Sequence, residues 1–135
     1  QKYGADFEGY KNWLKENAIV VVQIEHIKGV TNLEEILAVD GIDGFIVGPY
    51  DLSGSLNIPG EFDHPEMVLA LDRIKDISKR VKKPSGFHVV QPDVDMLLKK
   101  IDEGYRFIAF SLDILLLGRA CRDSIEKIKV DIRLQ

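Results

Sequence analysis

The sequence predicts a parallel α/β fold, and three observations carry that expectation. Four short apolar runs, rich in β-branched and aromatic residues, recur along the chain: "AIVVVQI" (18–24), "GFIVG" (44–48), "GFHVV" (86–90) and "FIAFSL" (107–112). Runs of this kind suit strands covered on both faces. An amphipathic helical pattern separates each run from the next, and no hairpin turn joins any two of them, so the connections are right-handed crossovers.

Each element has its own signal. "DFEGYKNWLKEN" reads as a helix feeding the first strand, expected over 18–24. "TNLEEILAV" follows, with Thr31 and Glu34 at capping-box spacing and Leu33, Ile36 and Leu37 on one face. After the second strand (43–48), "HPEMVLALDRIKDISKRV" has His64 as N-cap, Pro65 at the first helical position, and an apolar stripe of Val68, Leu71, Ile74, Ile77 and Val81. The third strand (85–90) leads to "PDVDMLLKKIDEG", whose stripe is Val94, Leu97, Leu98 and Ile101 and whose stop is Gly104. The fourth (106–112) leads to "DILLLGRACRDSIEKI". No repeat or low-complexity linker interrupts residues 1–135, which read as one unit. Four such units make either an open sheet or half of an eight-stranded barrel, a fold of roughly 250 residues.

Composition narrows the function. The 135 residues are 45% hydrophobic and 30% charged, the balance of a globular domain. A formal charge of -4 offers no basic stripe for phosphates, which argues against a nucleic-acid partner. No apolar run is long enough to span a bilayer and no signal-peptide pattern opens the chain, so a cytoplasmic protein without a membrane partner is expected. The single cysteine, Cys121, fits a reducing compartment and reads as a small core filler. Gln1 in place of Met suggests a piece of something longer.

In parallel α/β folds, sites form outside the carboxyl ends of the strands. The polar residues there are Gln23, Glu25 and His26 after the first strand, Gly48 to Ser55 after the second, His88 and Gln91 at the third, and Ser111 and Asp113 at the fourth. Gln23 and Glu25 are two apart and share a strand face. Asp51 follows the adjacent strand. Two carboxylates converging to about 4 Å would repel by about 4 kcal/mol at an effective dielectric of 20, and a divalent cation between them reverses the sign. Two hard oxygen side chains, with the remaining positions left to water and substrate, suit Mg²⁺ or Mn²⁺. The plainer alternatives are a solvated loop acid for Glu25, a surface residue for His26, and a satisfied core histidine for His88. "GPYDLSGS" lacks the pattern of a phosphate loop. None of the four strand runs contains a lysine, which counts against Schiff-base chemistry.

"VVVQIEHIKGVTNLEEILAVDGIDGFIVGPYDLSGSL", with "HPEM" and "GFHVV", closely resembles the class II pyruvate aldolases of the HpcH/HpaI aldolase and citrate lyase family, such as 2-dehydro-3-deoxyglucarate and 4-hydroxy-2-oxoheptanedioate aldolases. The resemblance runs from about residue 3 to about residue 128, and its most specific parts are the Q-x-E strand end and the G-P-x-D-L-S corner. It implies the last four strands of a (β/α)₈ barrel, often hexameric, with Glu25 and Asp51 as ligands of Mg²⁺, Mn²⁺ or Co²⁺. It implies reversible cleavage of a 2-oxo-4-hydroxy acid to pyruvate and an aldehyde. Pyruvate would lie at Gly48, Pro49 and Tyr50, with its carboxylate on the amides around Gly48, Tyr50 and Asp51. Gln23 would orient near the metal and His88 would face the aldehyde. The family's catalytic histidine and substrate-binding arginine lie in the barrel's first half, so the base and arginine are expected upstream of Gln1. A second reading is a non-catalytic half-barrel that serves as an assembly piece.

Overall fold

The computed structural model describes residues 4–133; Gln1 and the start of the resemblance at about residue 3 lie outside them. The elements are α1 (Phe7–Asn17), β1 (Val21–Ile24), α2 (Ile27–Thr31), α3 (Leu33–Ala38), β2 (Gly44–Val47), α4 (Pro49–Ser55), α5 (Pro65–Val81), β3 (Ser85–Val89), α6 (Val94–Asp102), β4 (Phe107–Phe110) and α7 (Asp113–Arg133). All four strands fall within the expected runs and pair in parallel, in the order β1-β2-β3-β4.

That order decides between the two architectures. A doubly wound open sheet reverses its strand order at a switch point, whereas sequential order with crossovers of one hand puts every helix on the same face. Burial follows this pattern. Ile24, Phe45, Val47, Phe87 and Val89 point toward the helices and are buried, together with Leu33, Leu37, Leu52, Met67, Ile74 and Ile77. Each such side chain contributes about 1.5–3 kcal/mol of burial energy. The alternating residues Val21, Gln23 and Phe107 point to the other face and are exposed. The sheet has the singly wound strand order of a barrel segment, and among the described residues no element covers its inner face.

Local chemistry explains where the elements start and stop. His64 Nδ1 accepts from the Glu66 amide at 3.3 Å, so His64 caps α5 and Pro65 opens it, as its sequence implies. α6 ends where Gly104 turns to a φ of 98°, a conformation open to glycine at no steric cost. The capping box at Thr31 does not form. Thr31 ends α2, and its hydroxyl donates back to the Ile27 carbonyl at 3.0 Å. Asn32 starts α3 without a side-chain cap, while Glu34 pairs across to Arg80 of α5 at 2.9 Å. The expected helix shortens to α3, and α2 precedes it as a separate short helix.

The α6 stripe is also corrected. Val94, Leu98 and Ile101 are exposed, Leu97 is half-buried, and the buried position is Lys100. Its ammonium stands 4.5 Å from the centre of the Phe87 ring and 3.0 Å from Glu103 Oε2, which compensates its loss of water. Tyr105 packs beside it on Phe87, and burial pushes the Tyr105 phenol well above its usual pKa. Cys121 is exposed rather than a core filler, since α7 lays little of its surface on the other elements. No described helix is long and apolar enough to cross a membrane.

The bare inner face and the open edges at β1 and β4 give the first expected outcome. Unpaired parallel edges beside exposed apolar residues such as Val21 and Phe107 are templates for association. Sedimentation velocity of this chain should show species heavier than 15.3 kDa. A stable, folded monomer would contradict this.

Candidate active site

The carboxyl ends of β1 and β2 build the site's centre. Gln23 and Glu25 share the inner face of β1, and the Gln23 amide donates to Glu25 Oε2 at 2.7 Å. This contact holds the carboxylate by one oxygen and leaves the other available. Gly48 follows β2 directly below them. A Cβ placed on Gly48 would stand 2.9 Å from Gln23 Nε2, 3.2 Å from Glu25 Cβ and 3.3 Å from Glu25 Oε2. The glycine therefore makes the floor on which the amide–carboxylate pair lies.

The "GPYD" corner is the start of a helix and not a loop. Gly48 caps α4, Pro49 occupies its first position, and Asp51 sits in its first turn. The Ser55 hydroxyl accepts from the Ile27 amide at 2.9 Å, tying the end of α4 to the segment that follows Glu25. Asp51 is exposed at the same end of the sheet as Glu25. One expectation is corrected here. The Gly48 amide already donates to the Ile24 carbonyl at 3.1 Å, and Leu52 N–H is the first to bond back to Gly48. Pro49 has no N–H, so the donors left for a ligand carboxylate narrow to Tyr50 and Asp51.

The register places His88 in the same layer. Ile24 pairs with Val47, Val47 with Phe87, and His88 with Ala109. The next rung is Glu25, Gly48, His88 and Ala109. At about 4.8 Å between strands, Glu25 and His88 start roughly 10 Å apart, with the side-chain-free Gly48 between them. His88 is half-buried, and its Nε2 lies 3.2 Å from the Ser111 carbonyl. His26 does not join this layer: it caps α2, accepting from the Lys28 amide at 3.1 Å, and is exposed.

The predicted residues thus fall into two groups. Gln23, Glu25 and Gly48 are in contact, with Asp51 one turn on. Pro49, Tyr50 and His88 instead line a mainly apolar cavity of about 280 Å³ with Phe62, Met67 and Met96. Tyr50 packs edge-on against Phe62 at 4.9 Å between ring centres. A wider cleft of about 520 Å³ between α6 and α7, lined by Asp93, Arg119 and Arg122, includes neither carboxylate. Among the described residues no group of three or more His, Cys, Asp or Glu side chains converges as a metal site. Glu25 and Asp51 bring two carboxylates to the same end of the sheet, the donor chemistry that a hard cation takes. Among the described lysines Lys100 is the buried one; it lies over the helix-facing Phe87 and reaches the cavity of Pro49 and Tyr50 from the helix side.

The sequence profile of the HpcH/HpaI aldolase/citrate lyase family matches residues 6–120. This chain belongs to that family. Among curated members, a hydroxypyruvate/pyruvate aldolase of Roseobacter denitrificans is 40% identical over 99 residues, covering 73% of this chain and 38% of that protein. A 2-keto-3-deoxy-L-rhamnonate aldolase of Escherichia coli is 34% identical over 113 residues, covering 84% of this chain and 42% of that protein. An HpcH/HpaI aldolase/citrate lyase family protein from Burkholderia cenocepacia superposes with a TM-score of 0.82 at 30% identity, over 94% of this chain and 50% of that one. The aldolase from Desulfitobacterium hafniense superposes with a TM-score of 0.78 at 28% identity, over 89% of this chain and 47% of that one. The chain spans about two-fifths of the length of the curated relatives it matches. Within this HpcH/HpaI segment, α2, α4 and the burial of Lys100 are features that sequence reading missed. α2 and α4 are short and interrupted by Gly29 and Gly54, and a lysine in an apolar stripe carries no sign of burial.

Proposed function

We propose that this segment is the metal-binding portion of an aldolase barrel that reversibly cleaves a 2-oxo-4-hydroxy acid, of the 2-keto-3-deoxy sugar acid type, to pyruvate and an aldehyde. The observation that carries it is the Gln23–Glu25 pair resting on Gly48, with Asp51 in the first turn of α4. Glu25 and Asp51 would hold Mg²⁺, Mn²⁺ or Co²⁺. Such a cation supplies Lewis acidity for the charge that develops on the 2-oxo oxygen as the carbon–carbon bond breaks.

The chain's own residues do the rest of the positioning. The Tyr50 and Asp51 amides receive the substrate carboxylate, Gln23 orients Glu25 through its hydrogen bond, and His88 faces the aldehyde end. We place the base that takes the 4-hydroxyl proton, and an arginine for the substrate, in the part of the relatives' length that this chain does not span. The complete protein would be a cytoplasmic homo-oligomer, as a hexamer. A half-barrel that acts as an assembly piece is favoured by one observation, the bare inner face of the sheet. Cleavage of a 2-keto-3-deoxy acid, followed as pyruvate release before and after chelation and on return of Mn²⁺, tests the main reading. Turnover unaffected by chelation would overturn it.

His88 gives a separate expected outcome. In a full-length barrel carrying this segment, His88→Ala should change relative kcat/KM among aldehydes about tenfold, equal to about 1.4 kcal/mol, with metal affinity nearly unchanged. A large loss of metal affinity with an unaltered aldehyde profile would reject the role.

A further inference from the structure

The last residue before the β4–α7 turn has an unusual backbone. Ser111 has a φ of 61°, a left-handed conformation that side chains with a Cβ rarely adopt. Its amide donates to the Val89 carbonyl at 2.7 Å, which extends the β3–β4 ladder by one residue beyond Phe110. The turn then brings the Ser111 carbonyl to His88 Nε2 at 3.2 Å. A carbonyl oxygen only accepts, so Nε2 carries the hydrogen. The other ring nitrogen, Nδ1, has no hydrogen bond among the described residues, and the register sets His88 on the inner face of the sheet in the rung of Glu25 and Gly48.

The Ser111 side chain does not explain its own conformation. The residue is 7% exposed, and its hydroxyl is buried with no hydrogen-bond partner. What the position delivers is the direction of its carbonyl.

We propose that Ser111 is a positioning residue: its left-handed backbone aims its carbonyl at His88 and holds the imidazole as the Nε2–H tautomer, so that Nδ1 is offered as a hydrogen-bond acceptor to a hydroxyl of the aldehyde portion of the substrate. The identity of that hydroxyl donor rests on the aldolase reading; the tautomer does not. A backbone carbonyl fixes a histidine tautomer in this way, because the ring nitrogen that faces it must carry the hydrogen and the other is left free. Glycine at position 111 reaches the same φ without strain and presents the same carbonyl. A β-branched residue there resists the left-handed region and should turn the carbonyl away.

The test is a long-range ¹H–¹⁵N correlation spectrum of the 135-residue chain, labelled at histidine and recorded at alkaline pH where imidazole is neutral. His88 should appear as the Nε2–H form in the parent and in Ser111→Gly, and as a mixture in Ser111→Val. If Ser111→Val does not fold, Ser111→Thr, which is also β-branched and closer to serine in size and polarity, replaces it with the same expected mixture. An Nδ1–H form in the parent overturns the proposal, as does an unchanged Nε2–H signature in a folded Ser111→Val or Ser111→Thr chain. In a full-length barrel, Ser111→Val should also reduce the preference for hydroxylated over deoxy aldehydes about tenfold, while Ser111→Gly leaves it in place. An unmoved preference overturns the role of Nδ1 even if the tautomer is as expected. Absence of cleavage by every form, with the tautomer as expected, counts against the aldolase reading instead.

Discussion

Glu25→Gln and Asp51→Asn should each reduce metal-dependent cleavage by a full-length barrel roughly a thousandfold, about 4 kcal/mol of transition-state stabilisation. Both changes keep the shape of the side chain and remove only its charge. An amide oxygen is a poor substitute where a hard divalent cation needs anionic ligands. In Glu25→Gln, the Gln23 amide that donates at 2.7 Å would face a second amide, and the new group can turn its NH₂ toward it. The pair would then lose its orientation as well as its charge. The double substitution should be little worse than either single one, because groups that act as a unit are strongly non-additive. Steady-state pyruvate release checks this, and near-parent rates in both single variants would return these residues to ordinary loop acids.

Gly86→Ala should destabilise the fold by about 2–3 kcal/mol, the usual cost of overpacking where the surroundings cannot yield. Gly86 lies in β3, paired with Ile46 on one side and Phe107 on the other. A Cβ there would stand 2.7 Å from Phe107 Cδ1, 2.8 Å from the Phe107 carbonyl oxygen and 3.1 Å from the Phe45 carbonyl oxygen. The ring can rotate. The two carbonyl oxygens belong to the flanking strand backbones, so moving them means moving the sheet. Gly54→Ala is the control, since nothing lies within 4 Å of a Cβ at that helical position and alanine is the better helix former. Urea unfolding should show the midpoint of Gly86→Ala well below that of the parent and of Gly54→Ala. Equal midpoints would mean that the inner face has more room than these distances allow.

Much of this was legible in the sequence because the strands are short, apolar and separated by helical periodicity. Those features belong to short strands that bury apolar side chains against flanking helices, and they survive without any tertiary information. The Gln23–Glu25 contact was legible for a similar reason, since residues two apart on a strand share a face. Other features were not. Strand order, which makes the fold a barrel segment rather than an open sheet, depends on pairing between distant residues. The commitment of the Gly48 amide to Ile24 depends on the ladder continuing one residue beyond Val47, which no local pattern reports. The exposure of Cys121 and of the α6 stripe at Val94, Leu98 and Ile101 reverses a pattern that reads as core. An apolar stripe states what a helix can bury; what covers it is set elsewhere.

The central claim is that Glu25 and Asp51 jointly hold one divalent cation at the mouth of the sheet, and the most direct measurement is Mn²⁺ binding by this chain itself. Titration followed by electron paramagnetic resonance, with oxalate present to supply the oxygens that a 2-oxo acid would bring, reads the ion independently of turnover. The expected result is one Mn²⁺ per chain in the parent, with binding lost in both Glu25→Gln and Asp51→Asn. Equal stoichiometry and affinity in the parent and in both variants would contradict the account.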